Sequence, residues 1–257
     1  MLLYPNVKIN LGLSILRKRP DGFHDLETLF VPYFGLSDEL EVLPSGRPES
    51  SIELIGGDWD PATDLSFRAL KLIEADFSIP STHIRLTKRT PVGAGLGSGS
   101  ADAAFTLKAL NEMYELKLSD EALAQYAARL GSDCAFFIYN RPMLGEGRGE
   151  VLRDYPIDLS KYEIRVETPQ GVKVSTKEAY SGVIPRDRRE SARAALRGVL
   201  ELPIEQWKEE LVNDFEDSVF PLYPEIAALK ADFYEQGAVY ASMSGSGSAV
   251  FGIFEKQ

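Results

Sequence analysis

The sequence predicts an α+β protein with mixed sheets and two domains, and three features lead to this class. Short segments that alternate apolar and polar residues are joined by turn signals, as in hairpins. Segments with apolar residues at helical spacing lie among them, without the regular strand–helix alternation of a doubly wound sheet. A chain of 257 residues can form one large domain or two smaller ones. We place the boundary between residues 1–157 and 158–257.

The first half is predicted to begin with a β-hairpin. Residues 7–15 alternate strictly, the turn signal Pro20–Gly22 follows, and LETLFVPY forms the returning strand. Further strands are predicted at DELEVLP, SSIELIG and HIRLTKR, and helices at SFRALKLIEADF and after the glycine-rich segment 93–99. Ser119 is the predicted N-cap of the helix DEALAQYAARL, and Gly131 is its predicted C′ residue.

The second half is predicted to contain four helices and to end in two strands. The apolar segments CAFFIY and EVLRDY precede it and flank the glycine turn GEGRG, and the strand YEIRVETP opens it. Helices are predicted around 175–182, 190–200, 205–217 and 224–236. The closing strands AVYASMS and SAVFGIF flank a second glycine turn at Gly245–Gly247.

Composition excludes several classes of partner. The formal net charge of −11 repels phosphates, so we expect binding neither to nucleic acid nor to an acidic membrane surface. No apolar run approaches the ~20 residues that cross a bilayer. Lys8 and Asn10 interrupt the N-terminal apolar stretch, so this stretch is predicted to be a strand and not a signal peptide. Cys134 is the only cysteine, which excludes an intrachain disulfide. We therefore expect a cytoplasmic protein.

The segment TPVGAGLGSGSADAA, residues 90–104, points to anion binding. Four glycines alternate with other residues between a predicted strand and a predicted helix. Glycine lets backbone amides approach a phosphate without a Cβ in the way, and the first turn of a helix offers further unpaired amides. The spacing matches neither a P-loop, which needs a lysine after the last glycine, nor a Rossmann fingerprint. The alternative is a flexible turn with no ligand.

Three segments together resemble one family. PVGAGLGSGSA, residues 91–101, resembles the phosphate-binding motif of the GHMP kinases, P-x-x-x-G-L-G-S-S-A, with Gly99 in place of a serine. KINLGLSILRKRPDGFHDLETLF and MSGSGSAVFGIF are similar to other segments of the family, and LGSDCAFF, GEGRGE and VNDFE match in order. The resemblance implies a fold of two α+β domains with the active site in the cleft between them. It also implies ATP with Mg²⁺ as cofactors.

The resemblance assigns one continuous segment to ATP. The residues that would bind its phosphates are Pro91, Val92, Gly93, Ala94, Gly95, Leu96, Gly97, Ser98, Gly99, Ser100 and Ala101. It leaves open whether Ser98 or Ser100 reaches the phosphates or Mg²⁺. No metal site built from side chains alone is expected, because the two histidines, His24 and His83, are not grouped with other ligands.

The resemblance makes Asp133 and Lys8 the catalytic residues. Asp133 would accept the proton of the substrate hydroxyl, and Lys8 would lie beside it, orient that hydroxyl and help to keep the carboxylate ionised. From the residues alone, Asp133 could equally cap a short helix, and a lysine on a strand is usually a solvated side chain.

The family member most similar at the D-G-F-H segment acts on methylerythritol linked to cytidine diphosphate. The resemblance implies the same small-molecule substrate here, because Phe23 could stack on cytosine while His24 holds the base through its backbone. The full set of predicted substrate-binding residues is Asn10, Phe23, His24, Thr176, Tyr180, Gly245 and Ser246. Tyr180, the predicted second stacking ring, could instead belong to a helix core. We expect a monomer or a weak homodimer.

Two further interpretations stay open. The chain could be another GHMP kinase, for a sugar, homoserine or mevalonate, or a relative that binds nucleotide without catalysis. An adenine contact is doubtful at Asp64, because an ionised carboxylate cannot donate a hydrogen bond and the residue could simply be an N-cap.

Overall fold

The computed structural model describes residues 1–187 and 195–256. The chain forms two compact units that interleave along the sequence. Unit 1 comprises residues 1–7, 34–92 and 97–141, and unit 2 comprises residues 8–33, 93–96 and 142–257. The division into two domains at residues 1–157 and 158–257 stays a prediction, as does the interdomain cleft.

The secondary structure is a mixture of strands and helices, so the α+β class is confirmed. The strands are β1 (Leu2–Leu3), β2 (Asn6–Lys18), β3 (His24–Ser37), β4 (Glu39–Pro44), β5 (Ser51–Ile55), β6 (Thr82–Thr87), β7 (Met143–Gly147), β8 (Val151–Asp154), β9 (Tyr162–Glu167), β10 (Tyr240–Met243) and β11 (Val250–Glu255). The helices are α1 (Leu65–Asp76), α2 (Ser98–Met113), α3 (Asp120–Ala128), α4 (Cys134–Tyr139), α5 (Thr176–Gly182), α6 (Leu196–Leu200), α7 (Trp207–Glu210), α8 (Glu216–Val219) and α9 (Pro224–Glu235). Among the helices of the described residues, none is long and apolar enough to span a membrane.

Three sheets organise the strands. Unit 1 holds a four-stranded sheet in the order β1-β4-β6-β5, in which β5 pairs parallel to β6 and the other pairs are antiparallel. A second sheet has the order β2-β3-β7-β8, and a three-stranded antiparallel sheet in unit 2 has the order β10-β11-β9.

The first hairpin is longer and more deeply buried than its alternation predicts. The pattern of residues 7–15 predicts one buried face and one solvated face, but β2 is buried on both faces from Asn6 to Leu16. Lys8 and Asn10 are therefore inside the protein, at 3% and 1% exposure. Buried polar side chains need hydrogen-bond partners, so this strand is where a functional site is expected.

Two helix starts follow their capping residues. Asp64 caps α1 by accepting a hydrogen bond from the amide of Ser66, and Ser119 caps α3 by accepting one from the amide of Ala122. The Asp64 carboxylate also accepts a hydrogen bond from Trp59 Nε1, at 3.1 Å. The N-cap interpretation of Asp64 is therefore confirmed.

Two sequence-based expectations are wrong. The predicted helix 205–217 is broken into a 3-10 turn, α7 and α8, because residues 211–215 leave the helix and two of them, Val212 and Asp214, make hydrogen bonds with β2. Gly131 is not the C′ residue of α3, which ends at Ala128 with Arg129 as C-cap. A Cβ on Gly131 would lie 3.3 Å from the Cys134 sulfur, so this glycine provides room for the start of α4. The part of the predicted helix 190–200 that precedes residue 195 lies outside the described residues.

The apolar core of unit 2 lies between its helices and strands. Its aromatic members Phe215 and Phe233 are almost fully buried, and Tyr180 packs against the cluster while remaining partly exposed. The cluster consists of Leu13, Ile15, Leu26, Val174, Ala179, Phe215, Val219, Ile226, Phe233, Ala238, Ala241, Met243, Val250 and Phe254.

Unit 1 contains a buried charge cluster around Lys88. Lys88 Nζ contacts the carboxylates of both Asp38 and Asp102, the latter at 2.6 Å, and all three side chains are at most 3% exposed. Asp38 also accepts hydrogen bonds from the amides of Arg89 and Thr90, at 2.6 and 2.8 Å. The cluster joins the end of β6, which precedes the loop, to α2, which follows it. One lysine balances only one of the two carboxylates.

Because Lys88 balances only one carboxylate, the buried Asp102 predicts that the free energy of unfolding depends on pH. Burial raises the pKa of Asp102 from 3.8 to about 8. The charge of Lys88 opposes this shift, and the carboxylates of Asp38 and Asp64 add to it. Between pH 5 and 8 the folded protein retains a proton that the unfolded chain has released, so the free energy of unfolding falls as pH rises. The contribution is at most about 1.4 kcal/mol per pH unit. Urea unfolding at several pH values should show a smaller slope for Asp102→Asn than for the wild type. An identical slope in both proteins would contradict the assignment.

Candidate active site

Groups of unit 2 contact the buried Lys8 side chain. Its Nζ donates to Asn10 Oδ1 at 2.5 Å and to the carbonyl oxygen of Gly95 at 2.8 Å, and it lies 5.4 Å from the centre of the Phe30 ring. A buried ammonium is stable only where acceptors or aromatic faces replace water. The interpretation of Lys8 as a solvated strand residue is therefore wrong.

Asn10 orients the lysine through a short chain of hydrogen bonds. Its Nδ2 donates to Thr28 Oγ1 at 3.0 Å, and Thr28 donates in turn to the carbonyl oxygen of Gly12 at 2.5 Å. This direction leaves Asn10 Oδ1 facing Lys8 as an acceptor. Thr28, fully buried on β3, is a site residue that sequence reasoning missed, because a threonine in a strand is an ordinary β-former.

The two glycine turns meet backbone to backbone within unit 2. A Cβ on Gly95 would overlap the carbonyl oxygen of Ser244 and lie 3.1 Å from the amide nitrogen of Gly247. A Cβ on Gly245 would lie 3.0 Å from the carbonyl oxygen of Gly95. Ser244, a second residue that sequence reasoning missed, donates to that same oxygen at 3.1 Å. Both glycines are required by this close approach.

The loop carbonyls are fixed, which sets the direction of the loop amides. The oxygens of Ala94, Gly95 and Leu96 accept hydrogen bonds from the amide of Ala249, the side chain of Lys8 and the amide of Lys8, at 3.0, 2.8 and 3.0 Å. In a trans peptide the N–H points opposite to the C=O. The amides that follow these three carbonyls therefore face away from the groups that hold the loop. Successive amides directed to one side form a concave anion site.

The loop leads directly into α2. Gly97 is its N-cap residue in the left-handed conformation, with φ of 71°, and makes no side-chain cap. The first intrahelical hydrogen bond runs from the amide of Ala101 to the carbonyl of Gly97, at 2.9 Å. The amides of residues 98–100 thus have no acceptor inside the helix, and the dipole of this 16-residue helix favours an anion there.

Asp133 lies at the N-terminus of α4, at intermediate exposure. Its side chain makes no capping hydrogen bond to this helix, so the capping interpretation is wrong. The next residue, Cys134, is buried, and burial raises the pKa of its thiol to about 12. Of these two neighbours, only Asp133 has the chemistry of a general base.

The predicted substrate-binding residues fall into two groups in unit 2. The His24 ring stacks on Tyr180, with centroids 4.9 Å apart and planes at 23°, and Tyr180 meets Phe215 edge-on. Partial burial lowers the pKa of His24, which favours the neutral ring. Phe23 is 54% exposed, and the guanidinium of Arg148 lies 5.0 Å from its ring centre. Phe23 and His24 thus present their rings to different partners.

The second group lies at the second glycine turn. Thr176, the first residue of α5, has its hydroxyl 3.2 Å from the hydroxyl of Ser246. Gly245 lies beside Gly95 and Asn10, as its hypothetical Cβ contacts show. The structure therefore brings Asn10, Thr176, Gly245 and Ser246 to one turn of unit 2.

The described residues contain no group of three or more His, Cys, Asp or Glu side chains that could hold a metal ion. Mg²⁺ is a hard cation that binds oxygen, retains water and is usually held by one or two carboxylates together with substrate phosphates. The oxygen donors of Ser98, Ser100 and Asp133 fit such an ion if phosphates complete its coordination. No soft or nitrogen ligand is needed.

Two family profiles match the chain. The profile described as "GHMP kinases N terminal domain" matches residues 64–141. The profile described as "GHMP kinases C terminal" matches residues 191–257. The first match includes both the glycine-rich loop and Asp133.

Named relatives are similar over the full length. The 4-diphosphocytidyl-2-C-methyl-D-erythritol kinase of Bacteroides thetaiotaomicron is 48% identical over 263 residues, covering 100% of this chain and 93% of the relative. The enzyme of the same name from Bacteroides fragilis is 46% identical, with the same coverage. A crystal structure of 4-(cytidine 5'-diphospho)-2C-methyl-D-erythritol kinase superposes with a TM-score of 0.80 at 33% identity, covering 98% of this chain and 90% of that one. The predicted fold is thereby confirmed.

The contact between the glycine turns can be tested by stability. Gly95→Ala should lower the free energy of unfolding by about 3 kcal/mol or more, because its φ of +77° is strained for alanine and the methyl group overlaps Ser244. Gly99→Ala is the matched control, since its Cβ would meet only Leu65 at 3.9 Å and helix propensity favours alanine by ~1 kcal/mol. Urea denaturation measures both. Equal stability of the two variants would rule out the close approach.

Proposed function

This chain belongs to the GHMP kinase family, and from that membership we propose that it transfers the γ-phosphoryl group of ATP to the 2-hydroxyl of 4-diphosphocytidyl-2-C-methyl-D-erythritol. The reaction would be a step of isoprenoid precursor biosynthesis. The observation that carries the proposal is the buried Lys8 amine, fixed on the carbonyl oxygen of Gly95 inside the glycine-rich loop.

The loop is suited to a triphosphate because its donors are backbone amides. A chain with a net charge of −11 cannot attract ATP by its overall field, so local donors must supply the attraction. The phosphates would lie against the segment Pro91–Ala101, where the carbonyls are tied back and the start of α2 adds its dipole. Mg²⁺ would come with the ATP and neutralise charge on the β- and γ-phosphates.

Asp133 and Lys8 would divide the work at the acceptor hydroxyl. The carboxylate of Asp133 takes the hydroxyl proton while the oxygen forms its bond to the γ-phosphorus and ADP leaves with the electrons of the broken P–O bond. The ammonium of Lys8 would orient the hydroxyl. Positioning and electrostatics supply most of the rate, since phosphoryl transfer has a loose transition state.

The aromatic group would select the cytidine end of the substrate. Phe23 is exposed and offers a ring face for the base, and Tyr180 is the candidate for the opposite face. His24 would bind the base through its backbone, because its ring is already stacked on Tyr180. Asn10, Thr176, Gly245 and Ser246 would hold the part of the substrate nearer to the phosphoryl group. We further propose a cytoplasmic protein that acts as a monomer or weak homodimer.

The proposed reaction is tested by measuring ADP release and the product phosphate position by phosphorus NMR. Acceptors are the cytidylated substrate, its uridine analogue, methylerythritol, homoserine and mevalonate. We expect kcat/KM for the cytidylated substrate to exceed every other value by at least about 100-fold, because unpaired polar groups penalise the wrong base. Equal turnover of the uridine analogue would overturn the base pocket. Preferential turnover of homoserine or mevalonate, or ATP binding without any transfer, would overturn the proposed reaction.

The two catalytic assignments are tested by substitution. Lys8→Met and Asp133→Asn should each lower kcat by about 10²–10⁴-fold with little change in affinity for ATP, because neither side chain is proposed to hold the nucleotide. Lys71→Met and Asp120→Asn remove the same charges from exposed positions and serve as controls. Wild-type turnover in the Asp133 variant would exclude its role as general base.

A further inference from the structure

The segment VNDFE, residues 212–216, matches the family but has no part in the chemistry described above. It lies against β2, the strand that carries Lys8. The amide of Leu13 donates to the carbonyl of Val212 at 2.9 Å, and the amide of Asp214 donates to the carbonyl of Leu13 at 2.8 Å. The Asp214 carboxylate also accepts from the amide of Ile15 at 2.8 Å. The segment is therefore fixed to β2 on one side.

Asn213 joins the same segment to the second glycine turn. Its Nδ2 donates to the carbonyl oxygens of Met243 and Gly245, both at 2.8 Å, and its Oδ1 accepts from the amide of Phe215 at 3.0 Å. The side chain is 3% exposed. All three groups that it contacts are backbone atoms, so one primary amide fixes the position of the turn.

The contact continues from the turn to the catalytic lysine. Gly245, held by Asn213, packs against the carbonyl oxygen of Gly95, where a Cβ would come within 3.0 Å. The same oxygen accepts from Lys8 Nζ at 2.8 Å and from the Ser244 hydroxyl at 3.1 Å. A shift of the turn would therefore move both the phosphate loop and the acceptor on which Lys8 is held.

From these contacts we infer that Asn213 is a positioning residue for phosphoryl transfer, which holds the second glycine turn against the glycine-rich loop and so sets the position of the ATP phosphates and of Lys8. The role requires an amide. A carboxylate of the same shape still accepts from Phe215 but repels two carbonyl oxygens, and an alanine removes one hydrogen-bond donor from each of these oxygens. The expected effect of Asn213 on turnover rests on the proposed function. Its expected effect on nucleotide binding does not.

Glu216 supplies a matched control in the same segment. Its Oε1 accepts from the Ser242 hydroxyl and the amide of Met243, both at 2.9 Å, and its Oε2 pairs with Lys230 at 2.5 Å. Glu216→Ala therefore weakens the attachment of β10 without removing a bond to Gly245. A purely structural role of Asn213 predicts that the two alanine variants behave alike.

The experiment compares Asn213→Ala, Asn213→Asp and Glu216→Ala with the wild type, each well below its own melting temperature. We expect Asn213→Ala to weaken binding of a fluorescent ATP analogue by about 10-fold or more and to lower kcat by about 10–100-fold. Glu216→Ala should stay within about threefold of the wild type in both measurements. For Asn213→Asp, we expect kcat relative to the wild type to rise as the pH falls from 8 to 6. A protonated carboxyl group can donate one of the two hydrogen bonds that the Asn213 amide makes to carbonyl oxygens, whereas a carboxylate can donate neither.

The outcomes separate the inference from the proposed function. Equal losses in Asn213→Ala and Glu216→Ala, or unchanged analogue binding in Asn213→Ala, would overturn the positioning role. If the wild type transfers no phosphoryl group but the two alanine variants still differ in analogue binding, the proposed reaction fails and the positioning role stands. If Asn213→Asp does not fold, Asn213→Ala and its control decide the question.

Discussion

The close approach of two glycine turns is the constraint on which the rest of the site depends. Gly95 fits against Ser244–Gly247 only because Gly95 and Gly245 have no Cβ at the contact. That fit places the carbonyl oxygen of Gly95 where Lys8 and Ser244 both donate to it. Because the carbonyls of residues 94–96 are bonded to the protein, the amides that follow them point away from the groups that hold the loop. The conformational cost of the glycines is thus offset at least in part by this packing.

The candidate site is built on a strand whose polar face is buried. β2 places Lys8 and Asn10 inside the protein, and each polar group there is matched to a partner, with Thr28 completing the chain. A buried ammonium acts on a developing negative charge in surroundings where water competes weakly. The acidic surface of the protein is compatible with the proposed phosphate binding, because the proposed donors are local backbone amides.

Local signals in the sequence predicted most elements, and long-range contacts account for what it did not predict. Asp64 and Ser119 cap helices as expected, since a cap depends on residues two or three positions away. The side chains of Thr28, Ser244 and Asn213 have partners 18, 234 and 32 residues away in sequence, which local patterns do not reveal. The break between α7 and α8 has the same origin, because Val212 and Asp214 bond to β2 instead of continuing a helix.

The most direct test of this account is a crystal structure of the protein bound to a non-hydrolysable ATP analogue with Mg²⁺. The account predicts that the triphosphate lies against the backbone amides of residues 95–100, with the carbonyl oxygen of Gly95 still bonded to Lys8. A nucleotide bound elsewhere, with these amides turned toward the protein, would contradict it.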